Sequence, residues 1–324
     1  MINQIRKPIA AELDEFESFF RANLKSPNRI LSVITNYVLR TNGKKMRPML
    51  VFLAAMQSGK ISSATNVAAT LIELLHTATL VQDDVVDETF QRRGKLSVNA
   101  IWNHKVAVLV GDFFLARGLQ IAMENSQIDI LRVVSDAVQE ISEGELQQIE
   151  HARHLDITED TYYQVIRKKT ATLIAACTKC GAISSGAAPE VVEAMYAYGL
   201  YLGIAFQIKD DIFDYTPSSA LLLGKPTGND IKERKLTLPL IHALNQAPEN
   251  ERKAMLKLIR NKNTDPYTAK AATEMVNRYG GIEYSVKAIE RYNAMAIEKL
   301  NALPETGATE SLKLLLQYNL ERKK

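Results

Sequence analysis

The chain has 324 residues, 46% hydrophobic and 24% charged, with 15 Gly and 10 Pro; that is enough apolar material for a sizeable core and too few breakers for a disordered or fibrous chain. The 40 Lys and Arg against 37 Asp and Glu leave a formal charge of +3, and the basic residues are scattered, which argues against nucleic-acid binding. Two cysteines cannot form a disulfide framework and the opening residues lack a secretory signal, so a cytoplasmic location is expected. The longest apolar runs, such as Met49 to Met56, predict no membrane span.

In chain order, helical periodicity predicts helices over Ile9 to Asn23, Ile30 to Arg40 and Met46 to Ser58. A long one follows over Thr65 to Asp87, where Ala68, Leu71, Ile72, Leu75, Thr79 and Val86 recur at three- and four-residue steps. Further helices are expected over Val98 to Glu124, Ile128 to Ile149, Glu159 to Ser184, Glu190 to Tyr215, Lys235 to Asn245, Asn250 to Arg260, Tyr267 to Tyr279, Ile282 to Ala302 and Glu310 to Arg322. Strands are scarce, and breakers cluster between the helices. The fold class is therefore all-α. No composition shift marks a linker, so residues 1–324 read as one domain.

One short pattern occurs twice. Asp83-Asp84-Val85-Val86-Asp87 and Asp210-Asp211-Ile212-Phe213-Asp214 both read D-D-x-x-D, each at the C-terminal end of an apolar helix. On a helix, positions i, i+1 and i+4 are expected on one side, so the spacing gathers Asp83, Asp84 and Asp87, and likewise Asp210, Asp211 and Asp214, on one side at one helix end. Crowded carboxylates there repel one another and oppose the helix dipole, a conflict that a divalent cation resolves. Oxygen-only donors without Cys or His favour Mg2+, which uses a few carboxylates together with substrate phosphates. A solvated acidic helix end would look the same for one cluster; two matched copies favour the metal.

Basic groups accompany both clusters. Gly43-Lys44-Lys45-Met46-Arg47-Pro48 opens a helix with cations suited to a diphosphate. His76 lies two turns before Asp83, and Arg92-Arg93-Gly94-Lys95 follows the first cluster. Lys168-Lys169-Thr170 falls within a helix, and Gly224 to Asp230 and Lys235 follow the second cluster. Each alone also fits a solvated basic surface or a polar loop. Cys177-Thr178-Lys179-Cys180 reads as buried small residues in a helix rather than a zinc or redox motif.

The ordered motifs Gly43-Lys44 to Arg47-Pro48, His76 to Asp87, Arg92 to Lys95, Lys169-Thr170, Phe206 to Asp214 and Gly224 to Pro239 resemble those of the trans-polyprenyl diphosphate synthases, especially bacterial long-chain, octaprenyl-like members. The resemblance spans nearly the whole chain. It implies an isoprenoid synthase-type helical bundle around a deep central cavity, usually a homodimer. The implied enzyme is a prenyltransferase joining isopentenyl diphosphate to an allylic diphosphate with two or three Mg2+ ions. Carried onto matching positions, Lys44, Arg47, His76 and Arg93 would hold isopentenyl diphosphate. Arg92, Lys169, Thr170, Gln207, Lys225 and Lys235 would hold the allylic diphosphate, and the six aspartates the metal. Two positions depart from the pattern: Asn42 and Arg234 stand where relatives have Gly.

Small residues at Ala78 and Thr79, where short-chain relatives carry bulky aromatics, imply a deep channel and a long product, with a floor near Leu71, Leu75 and Met123. Such a product would partition into membranes and serve as a quinone side chain. Short-chain synthases, a subunit of a heteromeric synthase and a class I terpene cyclase are the alternatives.

Overall fold

A computed structural model of the protein describes residues 1–41, 45–92, 94–155, 158–216, 228–260 and 266–322. The first half holds α1 (Ile2–Arg6), a 3-10 turn (Lys7–Ile9), α2 (Ala10–Asn23), α3 (Arg29–Thr41), α4 (Met46–Ser58) and α5 (Ser63–Val86). A short hairpin of β1 (Gln91–Arg92) and β2 (Lys95–Leu96) pairs antiparallel, and α6 (Val98–Trp102), α7 (His104–Glu124) and α8 (Ile128–His154) follow. The second half holds α9 (Glu159–Ile166), a π-helical turn (Arg167–Ala171), α10 (Thr172–Ser184), α11 (Pro189–Asp214), α12 (Asn229–Lys232) and α13 (Leu238–Gln246). The chain closes through α14 (Glu249–Arg260), α15 (Pro266–Arg278), α16 (Gly281–Asn301) and α17 (Thr309–Glu321). The all-α expectation holds.

Differences from the periodicity have local causes. The helix expected over Val98 to Glu124 breaks at Asn103, whose φ of 80° ends α6. Its Oδ1 then accepts the Val106 amide at 3.1 Å to cap α7, the role in which a short polar side chain satisfies an orphan helix donor. The helix expected over Glu159 to Ser184 is continuous but widens by one residue into the π turn.

Two apolar clusters form the core. One gathers Phe16, Phe20, Phe52, Leu71, Leu74, Phe114 and Tyr198 from the first half and α11. The other gathers Ile204, Ile208 and Ile212 from the same α11 with Ile166, Leu240 and Ile289. Helix α11 thus runs through both, as an apolar helix with few exposed positions does. The start of α5 is tied to the end of α10, where Ser62 Oγ donates to the Ser184 carbonyl at 2.8 Å and Thr65 Oγ1 meets Ser184 Oγ at 2.8 Å.

Apolar content is carried by whole helices rather than by uninterrupted runs. Helices α5, α7 and α11 are long and apolar enough to cross a membrane by length and composition, with mean hydropathy of 1.2, 1.6 and 1.3 over their most apolar windows. Uninterrupted runs understate this, because isolated polar residues break a run without making a helix polar. In the fold, 72% of the α5 window is buried within the protein.

Candidate active site

Helices α5 and α11 deliver the two aspartate clusters to their C-terminal ends, and the two clusters behave alike. Successive helix residues step about 100° around the axis, so the first and third aspartates share a face while the middle one turns aside. Asp83 and Asp87 are exposed, whereas Asp84 is buried. Its Oδ1 takes the Arg92 Nε at 2.7 Å, and its backbone carbonyl takes Asn99 Nδ2 at 3.0 Å. In the second cluster Asp211 is buried and held on both oxygens, by Tyr162 Oη at 2.6 Å and Gln207 Nε2 at 2.7 Å. This departs from the expectation that all three carboxylates of each cluster gather on one side: the middle acid of each points into protein.

Asp214 and Asp210 are also engaged. Asp214 accepts the Gly228 amide at 3.0 Å and the Asp230 amide at 3.2 Å, anchoring α12. Asp210 receives a guanidinium from Arg322 at 2.6 Å.

The cations expected on sequence grounds lie between the clusters. The π turn carries Lys169, whose Nζ donates to Glu145 at 2.6 Å and to Gln148 Oε1 at 2.7 Å on α8. Next to it Thr170 Oγ1 donates to Gln207 Oε1 at 2.6 Å, so the π turn is wired through Gln207 to Asp211. The turn is gripped by two glycines. A Cβ on Gly144 would lie 2.7 Å from Lys168 Cβ, and one on Gly203 would lie 2.5 Å from Ala171 Cα. Only hydrogen side chains let α8 and α11 approach so closely, and π turns recur at functional sites.

The charges sense one another across the cleft. Burial of the Asp83 carboxyl, reinforced by the negative Glu145 and Asp87 and opposed by Lys169 and Arg92, raises its pKa to about 6 although the side chain reaches solvent. For Lys235, burial disfavours the charge, but Glu233, Asp230 and Asp87 outweigh it and push the pKa up. Burial, Asp211 and Asp214 raise the Asp230 carboxyl well above the ordinary range. A cavity of about 110 Å³ is lined by Tyr162, Lys169, Thr170, Gln207, Asp211 and Lys235. Arg234, one of the two departures, adopts φ 57°, the left-handed conformation that glycine takes without strain.

Arg47 and His76 are half-buried on α4 and α5. Glu73, one turn before Thr77 on α5, is buried. Burial raises the Cys177 thiol to about 12, with Arg47 lowering it and Glu73 raising it, and both Cys177 and Cys180 are buried, the packing role expected of the motif. Lys44, Arg93 and Lys225 lie outside the described residues. Of the channel residues, Leu71, Leu75 and Ala78 are buried and Thr79 is half-buried, its hydroxyl donating to the His76 carbonyl at 2.9 Å. Met123 is different: it stands 62% exposed on the outer side of α7, not on an interior floor of the single chain, because the last turn of α7 presents that face outward.

Sequence reasoning missed Glu145, Gln148, Tyr162, Asp230 and Arg322. Asp230 was within reach, in the loop singled out after the second cluster; the others are recognisable only by what they touch.

A Polyprenyl synthetase family model matches residues 28–276. The chain is 35% identical over 321 residues to octaprenyl diphosphate synthase of Escherichia coli, covering 99% of each. The crystal structure of a decaprenyl diphosphate synthase from Rhodobacter capsulatus matches with a TM-score of 0.92 at 36% identity, over 100% of both chains. That of geranylgeranyl pyrophosphate synthase from Bacteroides thetaiotaomicron matches with a TM-score of 0.85 at 39% identity, over 99% of both. Paired acidic helix ends, intervening lysines and these matches agree, and the chain belongs to the polyprenyl synthetase family.

Proposed function

We propose that this prenyltransferase is a long-chain all-trans polyprenyl diphosphate synthase, condensing isopentenyl diphosphate with an allylic diphosphate such as farnesyl or geranyl diphosphate. The observation that carries the reading is the placement of cations at both clusters: Lys169 and Lys235 line one cavity with Asp211, and Arg92 pairs with Asp84 at 2.7 Å. An anionic substrate bridged by cations fits between them.

Among the described residues no three acidic, His or Cys side chains converge into a ready metal cage. Mg2+ takes one or two carboxylates and completes its shell with water and substrate phosphates. Asp83, Asp87 and Asp210 are the main candidate ligands, with Asp214 beside them, while Asp84 and Asp211 support from within the protein, held by Arg92 and by Tyr162 and Gln207. When bound, Mg2+ supplies charge stabilisation to the departing diphosphate.

The protein's own groups do the rest. Lys169, Lys235 and Arg92 donate to the oxygens on which charge develops as the allylic C–O bond breaks. Arg47 and His76 orient isopentenyl diphosphate so that its double bond forms the new C–C bond, and the proton lost afterwards passes to the released pyrophosphate. The apolar flanks of α5 keep water from the allylic cation.

Residues 1–324 are read as one domain, supported by α11 contributing to both apolar clusters. A homodimer is supported by Val108, Leu109, Leu119 and Met123, all exposed on α7, an apolar face of the kind that marks an interface. Both cysteines are free and buried, in keeping with a reducing cytoplasm.

The test is incubation of the pure protein with isopentenyl diphosphate, farnesyl or geranyl diphosphate and Mg2+, followed by separation of products by length. Long all-trans products that vanish with EDTA are expected. Products of twenty carbons or fewer would overturn the long-chain assignment, and no product from the single chain would favour a heteromeric subunit.

A further inference from the structure

The end of the last helix brings one more cation to the second cluster. Arg322 directly follows α17, and its side chain is only 8% exposed. Its Nη2 donates to Asp210 Oδ1 at 2.6 Å and to the Phe206 carbonyl at 2.9 Å, and its Nε donates to Asn319 Oδ1 at 2.9 Å. The guanidinium carbon lies 4.0 Å from the centre of the Phe206 ring and 5.3 Å from that of Phe213.

Four of these contacts are independent of Asp210: a helix carbonyl, an asparagine and two aromatic faces. A guanidinium fixed in this way is a scaffold rather than a loose cation competing for the carboxylate, and its planar fork suits the role better than an ammonium. Asp211 and Asp214 are each held by protein donors, the first by Tyr162 and Gln207, the second by two backbone amides. Arg322 gives Asp210 the same support, 112 residues further along the chain. Carboxylates that ligate metals are characteristically oriented by such outer hydrogen bonds.

We propose that Arg322 is a positioning residue for Asp210, engaging Oδ1 so that the side chain is held in one rotamer for ligation of a divalent cation. The proposal rests on the reading of Asp210 as a metal ligand. The end of α17 is then part of the active-site frame, and metal affinity depends on its docking.

The test measures binding of Mn2+ in the presence of inorganic pyrophosphate, by electron paramagnetic resonance of the free ion, with thermal melting beside it. Arg322→Gln is expected to weaken Mn2+ binding about 10-fold with little change in melting temperature. Arg322→Lys, which keeps the charge and loses the fork, is expected to fall between. Should Arg322→Gln loosen α17, Phe206→Leu removes the stacking face while sparing the helix and should weaken binding in the same direction. Unchanged affinity in both Arg322→Gln and Phe206→Leu overturns the proposal, as does tighter binding, which would make Arg322 a competitor. Asp210→Asn separates the two readings: if it binds Mn2+ like the parent, Asp210 is not a ligand and the failure lies there rather than in the Arg322 contact.

Discussion

Tyr162 on α9 donates its hydroxyl to Asp211 Oδ2 on α11 at 2.6 Å, both groups being buried. Burial raises the Asp211 carboxyl above its ordinary pKa, while Tyr162 and Gln207 pull it back down. A carboxyl raised in the folded state costs stability as pH climbs and it ionises, and the Tyr162 donor offsets part of that cost. Removing the donor raises the folded pKa further. Tyr162→Phe should therefore destabilise the metal-free protein by about 1–3 kcal/mol at high pH, and by less once Asp211 is protonated. Melting curves at about pH 5 and about pH 8 check this; an equal deficit at both would show that the carboxylate is not the group being stabilised.

Within the first cluster the aspartates should separate by phenotype. Asp83→Ala removes an exposed carboxylate and should lower turnover by several powers of ten while leaving the melting temperature nearly unchanged. Asp84→Ala instead strands Arg92 and the hairpin. Losing one partner of a fully buried pair costs about 3–5 kcal/mol, and since the Arg92 side chain is 34% exposed, a loss of about 1–2 kcal/mol is expected. The same two measurements on both variants decide the matter, and a thermally silent Asp84→Ala would remove its structural role.

Gly144→Ala should disturb the π turn, because the new methyl would lie 2.7 Å from Lys168 Cβ and 2.9 Å from the Lys169 nitrogen. Overpacking of this kind costs about 1–3 kcal/mol. Displacing Lys169 should raise the apparent KM for the allylic diphosphate more than that for isopentenyl diphosphate. Gly307→Ala is the control, since its nearest neighbour would be Met56 Sδ at 3.6 Å. Identical steady-state constants for Gly144→Ala and the parent would break the link between the turn and the site.

Much of this was legible in the sequence, and the gaps have physical causes. The long helix over Thr65 to Asp87 was readable because its apolar residues recur without a breaker, and both acidic clusters because their spacing is local. That Asp84 and Asp211 part from their neighbours follows from the helix step, but that theirs is the side turned inward does not, since it depends on the partner, Arg92 or Tyr162, that tertiary packing brings. The π turn was invisible because Lys168-Lys169-Thr170 suits an α-helix equally well; Gly144 and Gly203, far apart in sequence, make the wider turn fit. Arg322 lay at the edge of a helix read correctly, with nothing local to point at Asp210.

Arg234 tests a departure visible in the sequence. A side chain at φ 57° pays about 1 kcal/mol that glycine does not. Arg234 Nη2 also donates to the Arg260 carbonyl at 3.0 Å on the surface, a modest contribution. Arg234→Gly should match or slightly exceed the parent in melting temperature, and Arg234→Val, with a branched β-carbon in the left-handed region, should fall below it. The reverse order, with Val above Gly, would rule out backbone strain at this position.

Product length gives the sharpest division between the two sides of α5. Ala78 is buried and Thr79 half-buried, one turn before Asp83, with the Thr79 hydroxyl turned back to its own helix. Met123 is exposed on α7. If the growing chain passes along α5 toward Leu75 and Leu71, a tyrosine at position 78 adds a ring where the packing now holds a methyl. Ala78→Tyr should then shorten the product while the Asp83 and Asp210 chemistry continues at a measurable rate. Met123 limits length only where a second copy covers the outer face of α7, so Met123→Ala should lengthen the product in a dimer and do nothing in a monomer. Product chromatography on both variants, with sedimentation to fix the assembly, distinguishes these cases. An active, folded Ala78→Tyr enzyme with parental product length would mean that the tail takes another route.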